Sequence, residues 1–311
     1  MSRTGAAYKT RLRWLFVGSK GLRAGWSLLI FATLLTPMVL STSTLTRVWP
    51  SLFAGEIAPG PSLLIEAVQL LFIVGATVVT GRIEGRAVWS YYGLAGQRPF
   101  AKLLVGWISG LVCLSLVVGV LYACGFLIFD GRALRGLPIL GCGLVWLLDF
   151  LMVGAREELM YRGYLQGTLT RGIGFWPAAV LVSVLFGAGH IANPGETVVG
   201  VTGVMVRALC YCLLLRLTGS LWSGIGFHAA WDWAQSYLFG TPQSGHVMQG
   251  HLFSAHPVGD PLMSGGGVGP EGSLLWAPPF MLGLLVFYSV LRSAGLFVAA
   301  QKPPGPRASI P

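Results

Sequence analysis

"LLVGWISGLVCLSLVVGVLYACGFLIF", residues 103–129, runs for 27 residues between Lys102 and Asp130 without a charged side chain. A helix needs about 20 apolar residues to cross roughly 30 Å of hydrocarbon. This stretch is long enough, and others like it lie on both sides. Arg23 and Arg47 bracket an uncharged run that begins "AGWSLLIFATLLTPMVL" at Ala24. Residues 60–80 form another, interrupted only by Glu66, and residues 137–153 another, carrying Asp149. "GFWPAAVLVSVLFGAGH" starts at Gly174. Residues 197–216 contain Arg207, residues 218–238 contain His228 and Asp232, and residues 274–298 close the series. The pattern predicts an all-α, polytopic transmembrane helical bundle of about eight helices.

The composition agrees. Of 311 residues, 54% are hydrophobic and only 10% are charged, where a soluble domain carries about 25% charged residues. The net charge of +10 raises the question of nucleic acid, but the basic residues cluster beside the spans. The first 23 residues hold Arg3, Lys9, Arg11, Arg13, Lys20 and Arg23 and no acid. Segment 81–102 holds Arg82, Arg86, Arg98 and Lys102 against Glu84 alone. Cytoplasmic segments carry such an excess, and two spans separate these two, so the assignments agree. Eight spans return the tail, with Lys302 and Arg307, to the same side. The chain reads as a multi-pass protein of the cell (plasma or inner) membrane, both termini cytoplasmic, with no nucleic-acid partner.

A basic segment before an apolar run can mimic a signal peptide. No clear cleavage site stands out and further spans follow, so the first run reads as a retained helix. The chain ends "RASIP", without a cysteine to prenylate. Cys113, Cys124, Cys142, Cys210 and Cys212 lie in apolar stretches without a C-x-x-C pair and read as helix-packing residues. The organisation is a basic segment 1–23, two helices within 24–85, a membrane core 86–300 and a tail 301–311. No internal repeat is apparent. Gly240 to Ser273 is rich in Gly, Pro and Ser and reads as an ordered or semi-ordered extracytoplasmic loop. Its His246, His251 and His256 are five apart, which aligns them on no helix face; they read as solvated. "GCG" at 141–143 and "GVTG" at 200–203 read as close-packing sites.

Ionisable side chains within spans are costly unless paired or placed in a wet cavity. "AREELMYRGYLQG", residues 155–167, packs Arg156, Glu157, Glu158 and Arg162 into seven positions. In a helix Glu158 and Arg162 share a face and can pair. Glu157 lies about 100° away, without that partner, and is suited to taking a proton from water. Phe186 and His190 are one turn apart. His228 and Asp232 are four apart, in the seventh run. Each group alone has a structural reading: a charged helix end, a packed histidine, a self-satisfied pair. Together they hold the only two histidines in spans and the only adjacent acidic pair. Glu157 and His190 are also equidistant from a turn near Gly172 to Gly174, so an antiparallel hairpin sets them at one level. A helix over 137–171 would be about 50 Å long. It must tilt, break near Gly154, or project into the cytoplasm.

Glu-Glu-x-x-x-Arg (Glu157, Glu158, Arg162), then Phe-x-x-x-His (Phe186, His190), then His-x-x-x-Asp (His228, Asp232) resembles the ordered signature of the CAAX prenyl endopeptidase and bacteriocin-processing (CPBP) family. "VWSYYGLAGQRPFAKLLVGW" at 88–107 and "GGGVGPEGSLL" at 265–275 look like bacterial members, and the resemblance covers roughly residues 86–290. It implies an α-helical intramembrane endopeptidase acting on a membrane-associated or lipidated, CAAX-like protein substrate. By resemblance Glu157 activates water with help from His190, Glu158 and Arg162 support that geometry, and His228 and Asp232 stabilise the oxyanion. The family often has Asn where Asp232 stands. An ionised Asp cannot donate a hydrogen bond, so here it is expected to orient His228. The family's metalloprotease label makes Zn a possible cofactor, with Glu157, His190 and His228 as candidate ligands. The residues equally fit a metal-free, glutamate-dependent hydrolysis. Two other readings compete. A transporter could line its path with Glu66, Asp149, Arg207 and Asp232, and would show solute flux in vesicles. A non-catalytic immunity or binding protein would tolerate substitution of the motif residues.

Overall fold

The computed structural model describes residues 16–18, 21–48 and 56–298. The charges before Phe16, Lys20, Lys302 and Arg307 lie outside the described residues. Eight helices of twelve or more residues are present among the described residues: α1 (Ala24–Val48), α2 (Pro59–Ile83), α3 (Pro99–Ala123), α4 (from Pro138), α5 (Phe175–Ala188), α6 (Val198–Thr218), α7 (Trp222–Trp233) and α8 (Ala277–Ser293). Six of them, α1 to α4, α6 and α8, are long and apolar enough to cross a membrane. The outside of the bundle is apolar, with Leu71 and Phe100 more than 70% exposed, as a lipid-facing surface requires.

α5 and α7 are shorter than a span, at 14 and 12 residues. A π-helical turn, Ala234–Leu238, extends α7. α7 is buried almost all round, from Ser223 to Asp232, so it needs no lipid-facing stripe. Small residues make this possible by letting backbones touch. A Cβ on Gly106 or Gly110 of α3 would overlap the carbonyls of Ser223 or Phe227, and one on Gly226 would overlap Leu103 O. On the other side, a Cβ on Gly154 of α4 would stand 3.1 Å from Ile225 O. α7 is thus clamped between α3 and α4, and His228 and Asp232 are held at fixed depth. Of the glycines marked for packing, Gly143 meets the Tyr237 ring and Gly203 the Trp276 indole, but a Cβ on Gly141 meets nothing within 4 Å.

The apolar run 103–129 is not one helix. α3 ends at Ala123, and Gly125 takes a left-handed conformation at φ +77°. Leu127–Arg132 then forms strand β1, antiparallel to β2, Phe253–Pro257, with Leu127 opposite Pro257 and Arg132 opposite Phe253. Leu-Ile-Phe suits a strand once a partner is present. The partner is the long 240–273 connection, which this strand pair ties to the bundle. His256 Nδ1 lies 2.8 Å from Asp130 Oδ2 across it.

α4 is continuous from Pro138 to Ile173, 36 residues, with no break at Gly154. Its irregularity comes later: Glu158–Gln166 is π-helical, followed by a last α-helical turn to Ile173. Its excess length lies at the end where α2 begins. Trp146 Nε1 donates to Gln249 O at 2.9 Å, and Gln249 N–H donates to Ile57 O just before α2. The turns of α4 before Trp146 therefore extend past the start of α2, beneath the 240–273 connection. At the other end Arg171 Nη1 meets Glu84 Oε2 at 2.6 Å.

The bundle therefore has two distinct ends. A basic end gathers residues 81–98, Arg171, the α6–α7 turn and the end of α8. Its links include Lys102 Nζ to Thr218 O, Trp222 Nε1 to Leu94 O and Arg98 Nη1 to Ala294 O. A loop end gathers Ile57, β1, the α5–α6 turn and residues 239–273.

Gly226→Ala should overpack the α3–α7 contact and cost about 1–3 kcal/mol or prevent folding. Gly141→Ala, in open space on a helix, should be neutral or gain up to about 1 kcal/mol. Thermal unfolding of the purified protein in detergent compares the two.

Candidate active site

The π-helical segment of α4 begins at Glu158, so the two adjacent glutamates leave the helix into different surroundings. Glu158 is 1% exposed and faces inward. Arg162 Nη1 donates to its Oε1 at 3.0 Å, and His228 Nδ1 lies 3.0 Å from the same oxygen. A carboxylate only accepts, so Nδ1 carries the hydrogen. The Arg162 guanidinium lies over the rings of Phe186 at 4.4 Å and Tyr211 at 5.0 Å. Tyr211 in turn stacks on His228, with ring centroids 5.3 Å apart and planes 17° from parallel. Residues from α4, α5, α6 and α7 are locked together here.

Held this way, His228 presents Nε2 to Glu157 Oε2 and Asp232 Oδ2, each 3.6 Å away. That is too long for a hydrogen bond. The orienting partner of His228 is therefore Glu158, not Asp232.

Glu157 is not unpartnered, contrary to the helix-face reading. Its Oε1 accepts from Arg156 Nη2 at 3.0 Å, and Arg156 Nε donates to Glu66 Oε2 at 2.7 Å. The partner is the preceding residue, whose long side chain reaches across to α2. A count of i+4 neighbours on α4 does not reveal it. His190, in the turn after α5, has Nδ1 2.8 Å from Phe186 O, which leaves Nε2 free to face the cavity.

Glu157, His190, His228 and Asp232 line one cavity of ≈ 220 Å³, space for roughly seven waters. Arg162 and Glu158 stand behind it. Glu66, Asp149 and Arg207, considered above as a transport path, line the same cavity. Sequence reasoning missed Arg156, Tyr211, Ser244, His246 and Glu271. Arg207 Nη2 donates to Glu271 Oε2 at 2.8 Å, and Glu271 Oε1 accepts from Ser244 N–H and Oγ–H at 2.7 and 2.9 Å. The signal was a lone arginine in a span and a lone glutamate in a loop, 64 positions apart. His246 also lines the cavity, and burial holds its imidazole below its ordinary pKa.

Among the described residues no group of three or more His, Cys, Asp and Glu side chains is placed to hold a metal ion. Arg156 donates to Oε1 of Glu157 and His228 Nδ1 faces Glu158, which leaves Glu157 Oε2 and His228 Nε2 turned towards the cavity. The loop histidines do not converge: His251 Nδ1 faces Met248 O and His256 faces Asp130.

Residues 140–234 match the model of the family described as Type II CAAX prenyl endopeptidase Rce1-like. This stretch is a CPBP-family segment. It contains all three motifs and runs from α4 to the end of α7, but leaves out residues 86–139 and 235–290. No curated protein matches the chain. The matched stretch and the six apolar helices fit a multi-pass membrane protein with a protease-like segment at residues 140–234.

Arg162→Met leaves the Glu158 charge buried and should cost about 3–5 kcal/mol. Pairing it with Glu158→Gln should restore part of that loss, as measured by unfolding in detergent. Equal losses in the single and double variants would show that the ion pair is not what holds the CPBP segment together.

Proposed function

We propose that the protein is an intramembrane endopeptidase that hydrolyses a peptide bond of a membrane-associated or lipidated substrate, with Glu157 as the base. The observation that carries this reading is the placement of Glu157 Oε2 and His228 Nε2, 3.6 Å apart on the wall of a polar cavity inside an apolar bundle. A water held by Glu157 and His190 loses a proton to Glu157 as its oxygen attacks the substrate carbonyl. The C–O bond forms, and the carbonyl oxygen gathers negative charge. His228 donates Nε2–H to that oxygen in the doubly protonated ring, while Nδ1–H stays with Glu158. Glu158 at Nδ1 and Glu157 beside Nε2 supply the counter-charge for that form. The C–N bond then breaks, and Glu157 returns its proton to the leaving nitrogen. Base catalysis and oxyanion stabilisation are each worth about 10²-fold or more.

Arg156 has a positioning role. Tied to Glu66, it fixes the carboxylate plane of Glu157 and keeps Oε2 turned towards His228. The pairs Glu158–Arg162 and Glu271–Arg207 hold the far walls of the same cavity.

Glu157→Gln keeps the size of the side chain and removes the base. Cleavage should fall by about 10²-fold or more with unfolding temperature unchanged. The readout is the set of new N- and C-termini in membrane proteins of cells carrying wild type or variant. If the termini are the same in both, with the protein folded and at normal level, the peptidase reading is lost. Asp232→Asn removes a charge that neither pairs with an arginine nor holds Nδ1 of His228, so activity should be kept or rise. Complete loss would show that the carboxylate itself is required.

A further inference from the structure

Charge is divided unequally between the two ends of the bundle. Among the described residues, Arg23, Arg82, Arg86, Arg98, Lys102, Arg171, Arg216 and Arg292 stand at the basic end, and only Arg47, Arg132 and Arg135 at the loop end. Arg156, Arg162 and Arg207 are interior. The sequence before Arg23 carries five more basic residues. Lysine and arginine near span ends mark the cytoplasmic side. Eight against three therefore sets the basic end in the cytoplasm and the loop end outside.

The cavity belongs wholly to the loop end. Ile57, Gln243, Ser244, His246, Met248 and Glu271 come to it from the loop-end connections, and no lining residue comes from residues 81–98, 171–174 or 216–222. Towards the basic end it is closed. The buried Glu158–Arg162 pair stands behind its wall on that side. Below that, Tyr92, Leu159, Tyr164, Leu221 and Ile225 form a continuous apolar cluster. The π-helical segment Glu158–Gln166 and the last α-helical turns of α4 separate Glu157 from Ile173 at the basic end.

We infer that the site is entered from the extracytoplasmic side, so its substrates are exported polypeptides held at the outer membrane surface, or outer-facing segments of membrane proteins, and not lipidated tails in the cytoplasm. The chemistry rests on the peptidase reading, whereas the orientation does not. Cys124 is exposed at the loop end, so the test uses the full chain carrying Cys124→Ser. His256→Cys, on exposed β2, and Gln97→Cys, exposed at the basic end, are added separately. A membrane-impermeant maleimide is applied to right-side-out and inside-out vesicles, with the Cys124→Ser chain as background. His256→Cys should label in right-side-out vesicles and lose that labelling in inside-out ones, and Gln97→Cys should do the reverse. The opposite pattern overturns the orientation and the substrate class with it. The termini that depend on Glu157 should then map to extracytoplasmic segments of their parent proteins; termini in cytoplasmic segments overturn the substrate class. An absence of such termini, with His256→Cys labelled from outside, removes the peptidase reading and leaves the orientation standing.

Discussion

Glu158 sits 1% exposed in the middle of an apolar bundle, where an uncompensated carboxylate costs several kcal/mol. Two groups compensate it, Arg162 from its own helix and His228 from α7, both at 3.0 Å and both on Oε1. The rest of the site depends on that oxygen. Arg162 can reach it only while lying over Phe186 of α5 and Tyr211 of α6, and Tyr211 then stacks on the imidazole that Glu158 holds. Four helices meet at one buried charge. The π-helical segment starts at that residue, a kind of irregularity often found at functional sites.

The adjacent glutamates do different work because their partners differ. Glu158 is enclosed and commits its charge to structure. Glu157 is held on one oxygen by Arg156, itself anchored on Glu66 of α2, and offers the other to the cavity. This makes α2 part of the site, although it lies outside the stretch that matches the family model. The long loop-end connection is drawn in by the same logic. The buried Arg207 finds its counter-charge in Glu271, and Glu271 brings Ser244 to the cavity wall. In a low-dielectric interior each ionisable group recruits a partner, and the partners come from distant parts of the chain.

Much of this was legible in the residues. Six of the eight expected spans followed from apolar run length, and the Glu158–Arg162 pair from helical spacing. The shared level of Glu157 and His190 followed from their equal distance to one turn, and both line the cavity. Reading failed where composition is blind to a partner. Leu127 to Phe129 is as apolar as the helix before it, and only pairing with Phe253–Pro257 makes it a strand. α7 is too short to span alone, and its depth comes from glycine contacts with α3 that no periodicity reports.

By itself the sequence determined that the chain is a helical membrane bundle, which end is basic, and which few charged residues the membrane must accommodate. These are local properties: hydropathy over about 20 residues, charge near span ends, and spacing along one helix. The tertiary structure alone decided which carboxylate is buried and which faces the cavity, that Glu158 orients His228, that Arg156 and Glu66 hold Glu157, and that the cavity lies at the loop end. The physical reason is that a buried charge is satisfied by whatever side chain packing brings within about 3 Å. In this bundle those side chains come from as far as 90 residues away.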